Sequence, residues 1–276
     1  MWEPLVSIVT PSFNQGEFID ETIRSVLEQD YSNIEYIVID GGSTDNTLSI
    51  LQRYGDRLNW ISEPDEGQSD AINKGWRMAS GEIWAWLNSD DVYMPGAIRA
   101  AVEAMAKYPE AGMVYGNSIH IDRVGNPLKV HQPAEGYRRL PWLKDHIPPN
   151  IPQPAAFMRA DIVDQVGYID ANLNYAMDYD LFFRIAKVAP ITRISRVQAK
   201  MRIYVGTKSS MNVLDNHREK LLVLKRYQRW WFLSAEYWFR YLRYRLWHHL
   251  PTSLKASVRA IRGAPRDRVY LNGNIL

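Results

Sequence analysis

The chain has 276 residues, 46% of them hydrophobic and 23% charged, which is enough apolar content for one large domain with an appendage. It has no cysteine, which excludes disulfide stapling and thiolate metal sites and fits a reducing compartment. The net charge of +2 is unevenly placed: from Asp215 onward 13 Lys or Arg stand against 4 Asp or Glu, so the tail carries +9 and the rest −7.

Met1-Trp-Glu-Pro4 enters strand-like sequence without a basic leader, and nothing approaches the ~18 uninterrupted apolar residues of a membrane span. A cytoplasmic location is expected. Leu5 to Thr10 is β-branched and stops at Pro11, a strand; Phe18, Ile19, Ile23, Val26 and Leu27 then recur at helical spacing. Ile34 to Asp40 is a second strand, running into Gly41-Gly-Ser-Thr-Asp45. Leu48, Ile50 and Leu51 open another helix, and Leu58 to Ser62 reads as a third strand. Ala71, Ile72, Trp76 and Ala79 share a helical face before a strand from Glu82 to Leu87. Alternating strands and helices predict a mainly parallel sheet covered on both faces, with ligand at the carboxyl ends of the strands.

Polar residues collect at those ends. The apolar run from Trp84 breaks into Asn88, Ser89, Asp90 and Asp91, as a strand does when it delivers carboxylates to a cation, although acidic turns are also common as solvated loops. Asp40 precedes two glycines that let a ligand approach the backbone, and its carboxylate suits a uracil imide or ribose hydroxyls. Ser43 or Thr44 suits a cap on the following helix, with Asp45 favouring its N-terminus. Asp70, Asn73, Lys74 and Arg77 fall on one helical face, where the cations suit either a diphosphate or an ordinary Asp–Lys pair.

Val6 to Asn14, Ile39 to Asp45, Glu63 to Gly67 with Asp70 to Gly75, and Leu87 to Asp91 together resemble, in order and interval, family 2 glycosyltransferases, over about residues 5–210. The resemblance implies a GT-A fold, a Rossmann-like α/β domain that binds a nucleotide-sugar and a divalent metal, Mn or Mg, and inverts the anomeric carbon. Carried over residue by residue, it places Pro11, Phe13, Asn14, Asp40, Gly41, Ser43, Asp70, Asn73, Lys74, Asn88, Ser89 and Asp90 around the donor. UDP is the expected nucleotide, with Asp40 reading its base. Asp90 would be the metal ligand, with Asp91 beside it. Asn88 departs from the pattern, standing where the first Asp of the acidic motif is usual, and Ile72 stands where many members carry Arg.

An acceptor hydroxyl must lose its proton as it attacks, and a carboxylate is an economical base. Tyr175-Ala-Met-Asp-Tyr-Asp180 resembles the family's acidic base motif, with Met177 in place of its first acid. Asp178 is the expected catalytic base, before the first helical turn, and Asp180 lies inside that turn on the acceptor side; capping is the competing role for both. In similar sequences Gln153 lines the acceptor site, whereas His146, a lone His among prolines, is read as structural or exposed. Arg202 and Lys208 resemble a basic segment that would balance the departing diphosphate, with Tyr204 where His is common; both also read as plain surface charges.

The organisation expected is a catalytic domain over 1–214, with a nucleotide-sugar half over 1–110 and an acceptor half over 111–214, and a basic, aromatic-rich helical tail over 215–276. In that tail Tyr227, Trp231, Ala235, Trp238, Leu242 and Leu246 recur at helical spacing, with Arg226, Arg229, Arg240 and Arg243 on another face. Such a helix suits the headgroups of an anionic membrane carrying a lipid-linked or glycan acceptor. Packing on the catalytic domain or a homodimer contact is the alternative, and no nucleic acid partner is expected. A nucleotidyltransferase would carry a Gly- and Arg-rich loop after the first strand, which Thr10 to Gly16 lacks. A non-catalytic nucleotide-binding partner of a membrane assembly stays open because of Asn88 and Met177.

Overall fold

A computed structural model describes residues 2–133, 151–208, 212–227, 238–239, 241–243, 245–246, 270–271 and 274–275. Two compact units divide the chain between Arg202 and Ile203, ahead of the boundary at 214 suggested by composition.

The first unit is built on β1 (Val6–Ser12), β2 (Ile34–Asp40), β3 (Asn59–Ser62) and β4 (Ile83–Trp86), which lie in the order β3-β2-β1-β4 and are all parallel. All of β1 and β4 is buried, as strands covered on both faces must be. Each fully buried Val or Ile there contributes roughly 1.5–3 kcal/mol by leaving water. The crossovers are α1 (Ile19–Leu27), α2 (Thr47–Tyr54) and α3 (Gln68–Met78). Gly75 allows α3 to lie directly on β1, since a Cβ there would sit 2.4 Å from Cγ1 of Val9.

The rest of the sheet is mixed. After the short β5 (Val92–Tyr93) and α4 (Ala97–Lys107) come β6 (Met113–Ile121), β7 (Pro127–His131), β8 (Ala156–Arg159), α5 (Ala160–Val166), α6 (Met177–Val188) and β9 (Ile191–Arg202). The strand β8 runs antiparallel to both β4 and β6, and so joins the parallel half to the remaining strands, while β9 runs parallel to β6 and β7 hangs on the far part of β6. In register, Ser12 lies opposite Asp40, and Asp40 opposite Ser62, so three polar residues share the carboxyl edge. The strand order reverses between β1 and β4, which places the expected ligand crevice at that edge.

In the second unit α7 (Val213–Tyr227) buries His217, Val223 and Leu224. Phe239, Leu242 and Leu246 are exposed. Of the tail positions on which an amphipathic helix was expected, Arg229, Trp231, Ala235 and Arg240 lie outside the described residues, as does His146. Among the described residues no helix is long and apolar enough to cross a membrane.

Candidate active site

The ends of β1, β2 and β3 are laced together by short polar bonds. Asp40 is fully buried: its Oδ2 accepts from the backbone N–H of Gly42 (3.2 Å) and Ser43 (2.8 Å) and from Ser62 Oγ (2.7 Å), and its Oδ1 from Ser43 Oγ (2.5 Å). Its carboxylate therefore shapes the turn after β2, and Gly42 takes φ +83° to make that turn. Ser43 or Thr44 suited a cap on the following helix, but α2 starts only at Thr47, whose N–H is held by Asp45 Oδ1 at 2.9 Å. Ser43 Oγ instead accepts from the N–H of Asn14 at 2.7 Å, and Asn14 Oδ1 accepts from the N–H of Thr44 at 2.8 Å. Asn14 adopts φ +53°, a conformation Asn tolerates better than most residues. Pro11 is buried beside Ile39, whereas Phe13, the residue before Asn14, is 59% exposed.

The neighbouring loop belongs to the same edge. A Cβ on Gly41 would come within 2.7 Å of Asp65 Oδ2, so the turn after β2 and the loop before α3 nearly touch. Asp70 accepts from the N–H of Glu66 at 3.2 Å, and Lys74 bonds Glu63 at 3.0 Å, Asp70 at 3.4 Å and the Pro64 carbonyl at 3.3 Å. Its hydrogen bond to Glu63 helps to raise the Lys74 pKa. Both residues thus fasten the 63–67 loop. Asn73 points elsewhere: it is buried and bonded to Ile169.

The acidic end of β4 is a tight turn, with the Asp91 N–H on the Asn88 carbonyl at 3.0 Å. Thr22 Oγ1 of α1 donates to the carbonyls of Ser89 (2.9 Å) and Asp91 (2.7 Å). Asp91 is 2% exposed, and its oxygens accept from the Arg202 N–H (2.9 Å) and Asn88 Nδ2 (3.1 Å), so it braces the turn from inside. Asp90 keeps some solvent access; crowding by protein pushes its carboxyl up to about 6 despite its own backbone N–H and the Arg202 guanidinium. Burial and the Asp90 charge push Asp91 up as well. Among the described residues no side chain donates a hydrogen bond to the Asp90 carboxylate, and a half-buried carboxylate in that state fits a cation. Among the described residues no three Asp, Glu or His side chains form a metal cage. Among the described residues Asp90 is the candidate anchor at this edge, with Asp91 beside it.

Asn88 is enclosed by amides: its Oδ1 accepts from Gln68 Nε2 at 2.7 Å, and its Nδ2 donates to Gln153 Oε1 at 3.1 Å. Gln153, expected on the acceptor side, also donates to the Trp86 carbonyl at 2.7 Å, which places it directly against this strand end. Arg202, expected on the diphosphate, is 4% exposed. Its guanidinium donates to the carbonyls of Asp90 (2.9 Å) and Arg123 (2.8 Å), pairs with Glu21 at 2.6 Å, and lies 4.9 Å over the Phe18 ring. It grips the acidic turn from behind. Lys208 falls in the second unit, where burial lowers its pKa.

Both acids of the expected base motif lie in the first turn of α6, because the helix begins at Met177, earlier than the sequence suggested. Asp178 is partly exposed, with Oδ1 accepting from the Tyr179 N–H at 2.8 Å. Asp180 is fully buried and paired with Arg184 at 2.8 Å, an internal brace that keeps it from an acceptor. Gln68, Thr22 and Glu21 had no signal in the sequence, since their partners lie far along the chain. Arg184 did have one, its i,i+4 spacing from Asp180.

A parallel 3-2-1-4 half sheet, a mixed second half and an acidic strand end at the crevice define the GT-A class. Structures of S. aureus TarS, residues 1–349, in complex with UDP-GlcNAc superpose with a TM-score of 0.63 at 17% identity, covering 86% of this chain and 71% of that one. The mannosyltransferase PcManGT of Pyrobaculum calidifontis, in complex with GDP-Man and Mn²⁺, gives 0.62 at 19% identity, covering 82% and 64%. The chain belongs to Glycosyl transferase family 2, whose profile matches residues 7–167. Uncharacterized glycosyltransferases of Rickettsia conorii and Rickettsia prowazekii are 32% and 30% identical to it over 81% and 79% of its length. Chondroitin synthase of Escherichia coli is 28% identical over 78%. The chain spans 38% of the R. conorii relative, 71% of the R. prowazekii one and 31% of the chondroitin synthase.

Proposed function

We propose that this enzyme transfers a sugar, with inversion, from a nucleotide-diphosphate sugar, UDP being the expected nucleotide, to a hydroxyl of a glycan or lipid-linked acceptor in polysaccharide or cell-envelope synthesis. The observation that carries the reading is the carboxyl edge of β2-β1-β4, where Asp40 orders one turn and Asp90, among the described residues, lacks a side-chain donor in the next. The TarS and PcManGT complexes with UDP-GlcNAc and with GDP-Man and Mn²⁺ support a nucleotide-sugar and a cation in a crevice of this fold.

In this reading the exposed Phe13 ring and the Asn14 and Gly41–Ser43 turns hold the base and ribose, with Asp40 fixing the backbone that reads them. Asp90 would hold a divalent cation, which when bound supplies positive charge against the diphosphate. Asp178 accepts the proton of the acceptor hydroxyl as its oxygen bonds to the anomeric carbon. The bond from that carbon to the diphosphate breaks on the opposite side, and the diphosphate leaves with the electron pair. Gln153 lies between this strand end and the acceptor side.

Asp178→Asn keeps the shape but cannot take the proton, so transfer should fall by roughly 10²–10⁴-fold while nucleotide diphosphate still raises the melting temperature. Turnover near wild type in that variant rules Asp178 out as the base. Metal-dependent release of nucleotide diphosphate in the presence of an acceptor separates the enzyme from a non-catalytic binder, which would shift its melting temperature and release nothing.

A further inference from the structure

The loop between α5 and α6 leads into the first helical turn, which carries Asp178, and it is pinned by the buried face of α3. The side-chain amide of Asn73 pairs with Ile169 as a neighbouring strand would: Nδ2 donates to the Ile169 carbonyl at 2.9 Å, and the Ile169 N–H donates to Oδ1 at 3.0 Å. One turn earlier, the Ser69 hydroxyl reaches the Leu173 carbonyl at 3.0 Å and the sulfur of Met177, the residue before Asp178, at 2.9 Å. One turn later, Trp76 meets the edge of Tyr168, and Arg77 lies 5.8 Å over the same ring. From the opposite side Arg184 of α6 donates to the carbonyls of Val166 and Tyr168 at 2.9 and 2.8 Å.

We propose that Ser69 and Asn73 are positioning residues for the base: through them α3 sets where the 168–177 loop delivers Asp178. The assignment rests on the reading of Asp178 above. Both side chains are buried, 6% and 5% exposed, and turned to the loop, so from there neither reaches a donor. Only an amide side chain supplies both the donor and the acceptor that the Ile169 peptide needs; Asp lacks the donor and Leu lacks both. The same helix opens with Gln68 on Asn88 and holds the 63–67 loop through Asp70 and Lys74. One rigid element therefore ties the donor-side loop and the acidic strand end to the base. In a near-attack geometry a shift of about 1 Å in the base costs up to about 100-fold in rate.

The test uses the full chain and the UDP-sugar that stabilises it most in a thermal-shift screen, with hydrolytic release of UDP as the rate, water taking the place of the acceptor hydroxyl and the sugar leaving as the free sugar. Asn73→Ala and Ser69→Ala should lower kcat by about 10- to 100-fold, with donor KM and UDP affinity within about twofold of wild type. Ser69→Thr, which keeps the hydroxyl, should recover most of the rate. Backbone amides of 168–177 should exchange faster in Asn73→Ala, while those of β1 and β4 do not. Wild-type kcat in folded Asn73→Ala overturns the proposal, as does a loss of UDP affinity in step with kcat. If Asn73→Ala fails to fold, the Ser69 pair decides, and equal rates for Ser69→Ala and Ser69→Thr overturn it. No UDP release by the wild type, or full release by Asp178→Asn, would instead strike the reading beneath it.

Discussion

Asn88 departs from the acidic pattern of the family, and its surroundings give that departure a reason. Its amide donates to Asp91 and Gln153 and accepts from Gln68, so all of its bonding serves the turn. Asn88→Asp would set a carboxylate against buried Asp91 and against the carbonyl oxygen of Gln153. It should therefore lower stability, on the order of 2–3 kcal/mol, and not tighten metal binding. Urea denaturation with and without Mn²⁺ reads both. Conversely, Asp90→Ala should abolish metal-dependent stimulation, while Asn88→Ala keeps it at reduced stability; the reverse order would move the metal site. The oddity of Asn88 was legible in the sequence, but its cause was not. Its partners Gln68 and Gln153 lie 20 and 65 residues away, and no local periodicity couples them. The place of Arg202 was hidden for the same reason: the carbonyls it grips, of Asp90 and Arg123, lie far from it along the chain.

At the scale of elements, the parallel half was readable because each strand announces itself by a β-branched run and each crossover by a helical stripe. The second half was reached only through short motifs: β6 and β9 pair across a long intervening stretch, and β9 is only partly buried. The hairpin of β6 and β7 also carries a titration device that the sequence hid. His120 stacks on His131 with ring centroids 5.5 Å apart, and among the described residues its Nδ1 has no hydrogen-bond partner. Burial first, then His131 and Lys129, pull its pKa down to about 4. Because the folded value lies below the unfolded one, near 6.5, the unfolded chain takes up the proton first as pH falls. His120 thus costs nothing above about 6.5, and its penalty grows down to about 4, reaching about 3 kcal/mol there before levelling. Replacing it with Asn should flatten that part of the stability curve. Equal slopes for wild type and variant between pH 6.5 and 4, measured by urea titration, would exclude His120 as the source.

On the scale of the molecule, charge divides as the chain does. The catalytic unit to Arg202 is acidic around its crevice, whereas the sequence from Asp215 on is strongly basic and rich in Trp and Tyr. A net-negative catalytic domain is repelled by an anionic surface, so any attraction must come from the tail, at about 1 kcal/mol for each Lys or Arg near the headgroups. Such attraction is screened by salt over about 10 Å at 0.1 M, whereas aromatic insertion is not. The full chain should therefore float with vesicles containing phosphatidylserine, and float less with neutral ones. Raised salt should weaken the binding without abolishing it, because the exposed Phe239, Leu242 and Leu246 add an apolar share. A chain ending at Asn216 should stay at the bottom of the gradient with either lipid, yet still bind UDP if the first unit carries the donor site alone. Flotation independent of lipid charge, or unchanged by the truncation, would leave the tail to pack against a second copy, and a halved mass of the truncated protein relative to the full chain by light scattering would identify that contact.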